Sequence, residues 1–135
     1  MSHEPIFELG VKRDTNFTGT AHVNLLVDDQ AGTYDTQVYD VVFEAGCRND
    51  WHSHPGGQIL LCTDGVGFYQ AQGHPARRLI KGDVVEIPPD KVHWHGASPD
   101  QPFTHIGISP NLHTGPINWR EPVTDEEYLE ATQSV

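Results

Sequence analysis

Positive charge is what this sequence has least of. Eight Lys and Arg stand against 19 Asp and Glu, for a formal charge of −11. A field of that sign repels phosphate backbones, so no nucleic-acid partner is expected. Cysteine is nearly absent as well. Cys47 and Cys62 form neither a CxxC pair nor a disulfide framework, and each reads as a small buried hydrophobe rather than a reactive thiol. No basic start leads into an apolar signal region, and no apolar run approaches a membrane span. The expectation is a protein without a membrane partner in a reduced, cytoplasmic setting. Helical periodicity is missing until the chain is almost over.

What is present fits one β-rich domain over residues 1–135. The 36% apolar content suits a globular chain of this length, which can bury a core without covalent staples. Residues 1–18 read as an irregular arm or an edge strand. Short β-type runs follow at 21–27, 36–43, 58–62, 66–72, 77–80, 83–87, 92–97 and 103–109, separated by glycine, proline and aspartate turns. That spacing predicts an all-β antiparallel barrel or sandwich. A short helix is expected over 124–131, opened by the capping box Thr124-Asp125-Glu126-Glu127. Ile59-Leu60-Leu61-Cys62 is apolar on both faces of its strand, so its outer face needs cover, and a homodimer or homotetramer is the expected source.

Histidine is unusually frequent, nine in all. His52 and His54 are two apart and leave the same face of a strand, as do His93 and His95. Gln58 has the parity of the first pair, beyond a Pro55-Gly56-Gly57 turn, and His105 lies on the last strand. A closed sheet would aim all six side chains at one point, where a divalent metal is expected. His3, His22, His74 and His113 read as ordinary histidines. By the same alternation Tyr39, Val41 and Phe43 face inward, with Asp40 outward; Phe103, His105 and Ser109 also share the inward face. Tyr39, Val41, Phe103 and Ser109 are the candidate substrate-pocket residues, whereas Phe43 reads as barrel filling. Trp51 and Trp94 have outward parity and are expected in packing or an interface.

Gly46, His52-Ser53-His54, Gln58 and Gly65, followed by Gly82, Pro88 and His93, resemble the two motifs of the cupin family. Gln58 stands where most members carry Glu, and Asp90 and Ala97 replace the usual Gly and Asn. The resemblance implies a double-stranded β-helix (jelly-roll) barrel with one divalent metal on His52, His54, Gln58 and His93. A closer likeness rests on His93-Trp94-His95-Gly96-Ala97, Gln58, Thr104-His105 and the closing Val123-Thr124-Asp125-Glu126-Glu127-Tyr128. These resemble the small bacterial manganese cupins that act as hydroxynitrile lyases, a type also labelled carboxymuconolactone-decarboxylase-like. That likeness implies manganese, a proton-transfer role for His105, and His95 as its neighbour. Two positions depart from the type: Tyr39, where the relatives are small, and Ser109, near which they carry an amide.

Three imidazoles and a neutral amide would leave the charge of the metal uncancelled, which favours Lewis-acid over redox chemistry. The donor set also suits iron, cobalt, nickel or zinc. The reading is a lyase that makes or breaks a C–C bond beside an oxygen of a small-molecule substrate. A histidine of ordinary pKa would suit proton transfer at neutral pH. A metal-dependent dioxygenase and a non-catalytic small-molecule-binding barrel remain the alternatives.

Overall fold

Two antiparallel sheets share their longest strand, and that sharing makes the barrel. The computed structural model describes residues 6–30 and 32–133. His3 and the first residues of the N-terminal arm lie outside them. The elements are β1 (Val11–Arg13), β2 (Phe17–Thr18), β3 (Ala21–Asp29), β4 (Thr36–Phe43), β5 (Arg48–Asn49), β6 (His52–Ser53), β7 (Gln58–Ala71), β8 (Arg77–Ile80), β9 (Val84–Ile87), β10 (His93–Ala97), β11 (Phe103–Ser109), β12 (Asn118–Trp119) and α1 (Asp125–Gln133). One sheet runs β1–β3–β4–β11–β7–β9. The other runs β8–β7–β10, with β5 and β6 both on β10, then β2 on β5 and β12 on β6.

The segments 58–62 and 66–72, expected as two strands, form one. Asp64-Gly65 is a corner inside β7 rather than a turn between strands. Gln58 to Leu61 pair with β9, and Val66 to Tyr69 pair with β8. Two local features make the corner. Register against β11 slips between Thr104 and His105, which leaves Thr63 as a bulge residue. Gly65 has φ of 75°, and a Cβ there would come within 2.0 Å of the Pro102 carbonyl oxygen. A side chain at that position would force the two strands apart.

Alternation sorts the side chains. In β11, Phe103, His105, Gly107 and Ser109 are buried, while the residues between them are only half-buried. Phe43, Leu60, Leu79, Phe103, Val85 and Ile87 fill the interior. Cys47 and Cys62 belong to the same core, unbonded, and burial pushes their thiols up to about 12 and about 11. Ile59 and Leu61 are half-buried on the outer face, beside Ile106 and Ile108 of β11. Asp40 also takes the outer face, yet it is buried, and desolvation raises its carboxyl pKa.

The C-terminal helix covers the opposite wall. Its capping box forms as read: Thr124 N–H donates to Glu127 Oε1 at 2.9 Å, and Glu127 N–H to Thr124 Oγ1 at 3.1 Å. Trp51, Phe68 and Trp94 pack under Val123, Tyr128 and Ala131, so both tryptophans serve packing. Burying a tryptophan as completely as Trp94 stabilises by about 5 kcal/mol at ~25 cal/mol per Å2, which outweighs the intrinsic preference of so short a helix. Arg48 adds polar ties, donating to the Val123 carbonyl at 2.9 Å and to Asp125 at 2.7 Å, and stacking over Tyr128. No helix among the described residues is long and apolar enough to cross a membrane.

Candidate metal and catalytic site

Pairing between β6 and β10 sets His52 directly opposite His93. Their ring centres are 4.3 Å apart, and His95, two residues along β10, lies 5.6 Å from His93 and 5.5 Å from His52. One ring nitrogen from each of His52, His93 and His95 falls within 4.8 Å of the others, an arrangement that can hold a metal ion. His54 flanks them, with its ring centre 5.1 Å from that of His52 and 5.8 Å from that of His93. Gln58 completes the group, its Oε1 lying 3.2 Å from His93 Nε2. The structure thus brings together all the histidines read at strand parity, and His95 stands within the cluster rather than beside it.

The tautomers follow from the backbone. Nδ1 of His52 is 2.7 Å from the Asp50 carbonyl oxygen, and Nδ1 of His93 is 2.8 Å from that of Lys91. A carbonyl only accepts, so both Nδ1 atoms carry the proton and both Nε2 atoms present lone pairs. His54 Nε2 is buried and has no hydrogen-bond partner. His93 Nε2 faces Gln58 Oε1, acceptor against acceptor. Lone pairs gathered in this way repel unless a cation lies among them, so the donor set fits a divalent metal. Burial lowers the imidazole pKa at every one of these positions, to about 3 for His54 and about 4 for His93, and well below the ordinary value for His52 and His95. All are neutral at pH 7, as ligation requires.

His95 and His105 form a second pair. His105 Nε2 is 3.2 Å from His95 Nδ1, with the rings edge to face. Asn49 clamps His95: its Oδ1 accepts from the His95 backbone N–H at 2.9 Å, and its amide nitrogen lies 3.2 and 3.3 Å from the two ring nitrogens. A cavity of about 310 Å3 opens above them, with Phe17, Val41, Phe43 and Trp119 among its walls. His52, His54, Gln58 and His95 reach it, and among the described residues no Asp or Glu lines it. A wider cleft of about 590 Å3 adjoins it on the other side of Ile117 and Trp119 and reaches Ser109.

Several expectations need correction here. His105 is fully buried and does not line the cavity; it stands behind His95, against Phe43 and Phe103. Burial lowers its pKa to about 4, so it lacks the near-neutral pKa expected of it. Phe103 is core, stacked on Phe43 with ring centres 6.1 Å apart, and Phe43 is the ring that reaches the cavity. Tyr39 and Val41 do line the cavity, and Ser109 lines the cleft. Sequence reading missed Asn49 and Trp119. The Trp119 ring lies 4.7 Å from that of His52, carried there by β12.

The family model described as a cupin domain matches residues 39–108, which contain every one of the clustered histidines and Gln58. The chain is 40% identical over 114 residues to an (R)-mandelonitrile lyase from Granulicella tundricola, covering 83% of this chain and 85% of the relative. It is 32% identical over 80 residues to the dimethylsulfoniopropionate lyase DddQ from Ruegeria pomeroyi, which spans 58% of this chain and 39% of that protein. A crystal structure of a cupin-like protein from Thermotoga maritima superimposes with a TM-score of 0.95 at 59% identity, over 98% of this chain and 100% of that one. With two sheets closing around a histidine cluster, and with likenesses that extend over most of its length, this chain belongs to the cupin family.

Proposed function

We propose that this protein is a metal-dependent carbon–carbon lyase that splits a small hydroxynitrile or β-hydroxy carbonyl compound. The observation that carries the reading is the adjacency of two devices at one cavity floor. His52, His54, Gln58 and His93 gather lone pairs that can hold a cation, and the His95–His105 pair can move a proton beside them. The full ligand set in this reading is His52, His54, Gln58 and His93, and manganese is the ion favoured by likeness to the lyase-type cupins. When bound, the ion supplies positive charge that stabilises negative charge developing on a substrate oxygen.

The chain's own residues do the rest. Phe17, Val41 and Phe43 shed water from the substrate, which strengthens the electrostatics of the floor. The substrate hydroxyl proton passes to His95, which hands its Nδ1 proton to His105 Nε2. The C–C bond breaks, and its electron pair leaves on cyanide or an enolate. That fragment takes a proton back through the same pair, so the enzyme returns to its starting state. Asn49 steadies the His95 ring beside His105, its amide nitrogen lying 3.2 and 3.3 Å from the two ring nitrogens. Among the described residues no carboxylate lines the cavity to offset the charge of the ion, which supports Lewis-acid chemistry over a dioxygenase.

The test is anaerobic turnover of mandelonitrile by protein loaded with a defined metal, measured as benzaldehyde release, with dimethylsulfoniopropionate assayed beside it. Benzaldehyde release that disappears on chelation supports the reading. Turnover that requires dioxygen would replace it with an oxygenase, and cleavage of dimethylsulfoniopropionate alone would keep the lyase and change the bond.

A further inference from the structure

Gln58 has a hydrogen-bonded partner that no ligand motif predicts. Its Nε2 lies 2.5 Å from Tyr39 Oη, and Tyr39 Oη lies 2.7 Å from Ser109 Oγ. The three side chains come from β7, β4 and β11, neighbours in one sheet, and end in a line from the histidine cluster to the cleft. Space for the tyrosine is built in. Gly107 sits opposite Tyr39 in the ladder, and a Cβ on it would fall 2.3 Å from Tyr39 Cε2.

A glutamine amide has two ends, and only one of them is a useful ligand. With Oε1 toward His93 the amide offers a lone pair to a cation. Turned over, it offers N–H groups, which suit the His93 Nε2 lone pair and repel a cation. A phenol can serve either orientation, because it donates and accepts. What decides is where its single proton goes. When Tyr39 donates to Ser109 Oγ, its oxygen is left to accept the Gln58 N–H, and Oε1 must then face the cluster.

We propose that Tyr39 is the positioning residue that orients Gln58 as an oxygen ligand, with Ser109 as the acceptor that fixes the direction of the chain. This rests on the reading of Gln58 as a metal ligand. The direction has a second effect. Ser109, having accepted from Tyr39, points its own proton elsewhere, and it lines the cleft beside His54 and Gln37. The loaded protein therefore presents a hydroxyl donor to an oxygen or nitrile nitrogen of a molecule in that cleft.

The experiment measures Mn2+ affinity, with free ion counted by its EPR signal, and does not depend on any activity. Five proteins are compared: the parent, Tyr39→Phe, Ser109→Ala, Gln58→Glu and the Tyr39→Phe/Gln58→Glu double variant. Tyr39→Phe should weaken Mn2+ binding about tenfold, the lower range for loss of a partner that orients a ligand. In the Gln58→Glu protein the same change should leave affinity unaltered, because a carboxylate presents oxygen at both ends and needs no orienting. Ser109→Ala should weaken the parent in the same direction. Parental affinity in Tyr39→Phe would overturn the proposal. An equal loss in both backgrounds would overturn it too, since the tyrosine would then matter only for packing. A parent that binds no Mn2+ or other divalent ion would instead overturn the ligand reading on which the proposal rests.

Discussion

His95 stands between His105 and the cavity, with 3.2 Å separating His105 Nε2 from His95 Nδ1. A proton held on His105 therefore reaches the substrate only through His95. His105→Ala should leave Mn2+ affinity near the parental value and lower the rate of C–C cleavage by about a hundredfold, the usual contribution of a proton-transfer group. His95→Ala should lower the rate at least as far. Metal titration run beside the kinetics checks the assignment. Parental rate in His105→Ala would remove it from the mechanism.

Acid should destabilise the fold through its buried histidines. His54, His93 and His105 have folded pKa values of about 3, about 4 and about 4, each lowered mainly by burial from 6.5. The unfolded chain thus binds protons more tightly than the native one below pH 6.5. Stability is full above that value and falls as pH drops toward 4, where the native groups begin to charge. Thermal melts of metal-free protein across pH 7 to 4 should show a steady fall in Tm. A flat profile would mean that these rings are better hydrated than their burial indicates.

Gln58→Glu should bind divalent metal more tightly and catalyse C–C cleavage more slowly. The carboxylate offsets part of the charge that stabilises the developing oxyanion. Equal or faster cleavage by the Glu variant, with metal content matched, would show that the neutral ligand is not what sustains the rate.

His52→Ala should lose most of its metal while keeping the strand signal in circular dichroism. The interior built on Phe43, Leu60 and Phe103 exists without the ion, and a chain of this length can rest on its core. Full metal occupancy in the variant would show that His52 is not a ligand.

The outer face around Ile59, Leu61, Ile106 and Ile108 is the expected contact between subunits. Sedimentation at micromolar concentration should give a homodimer or a larger assembly. Leu61→Glu should shift it toward monomer while leaving the metal affinity of each chain unchanged. A parent protein that sediments as a monomer would remove this expectation.

Much of this architecture was legible because strands write their burial in alternate residues. Phe103 to Ser109 and Thr36 to Phe43 have the bounds and inward faces that parity predicts. Parity has no means of reporting depth, however. Phe103, His105 and Ser109 share one face, yet Phe103 lies in the core, His105 behind another histidine, and Ser109 at a cleft. Nor does it report partners far along the chain. Trp119 follows a 3-10 turn at Leu112–Thr114 and carries no periodic signal, and it meets His52 only because β12 pairs with β6. Asn49 is hidden for the same reason, in a two-residue strand defined by its neighbours. The Asp64-Gly65 corner reads as a turn because composition marks where a chain bends but not whether pairing continues through the bend.

That corner has a consequence for how the molecule comes apart. β7 is a central member of both sheets, with Gln58 at one end and Ala71, opposite His93, at the other. Pulling the strand out of either sheet loosens the other, so the two halves should exchange their amide hydrogens with one shared protection rather than two. The bend returns the two ends of β7 to one place, so that Gln58 on one end meets His93, paired beside the other, at 3.2 Å, and melting either half should carry the histidine cluster with it.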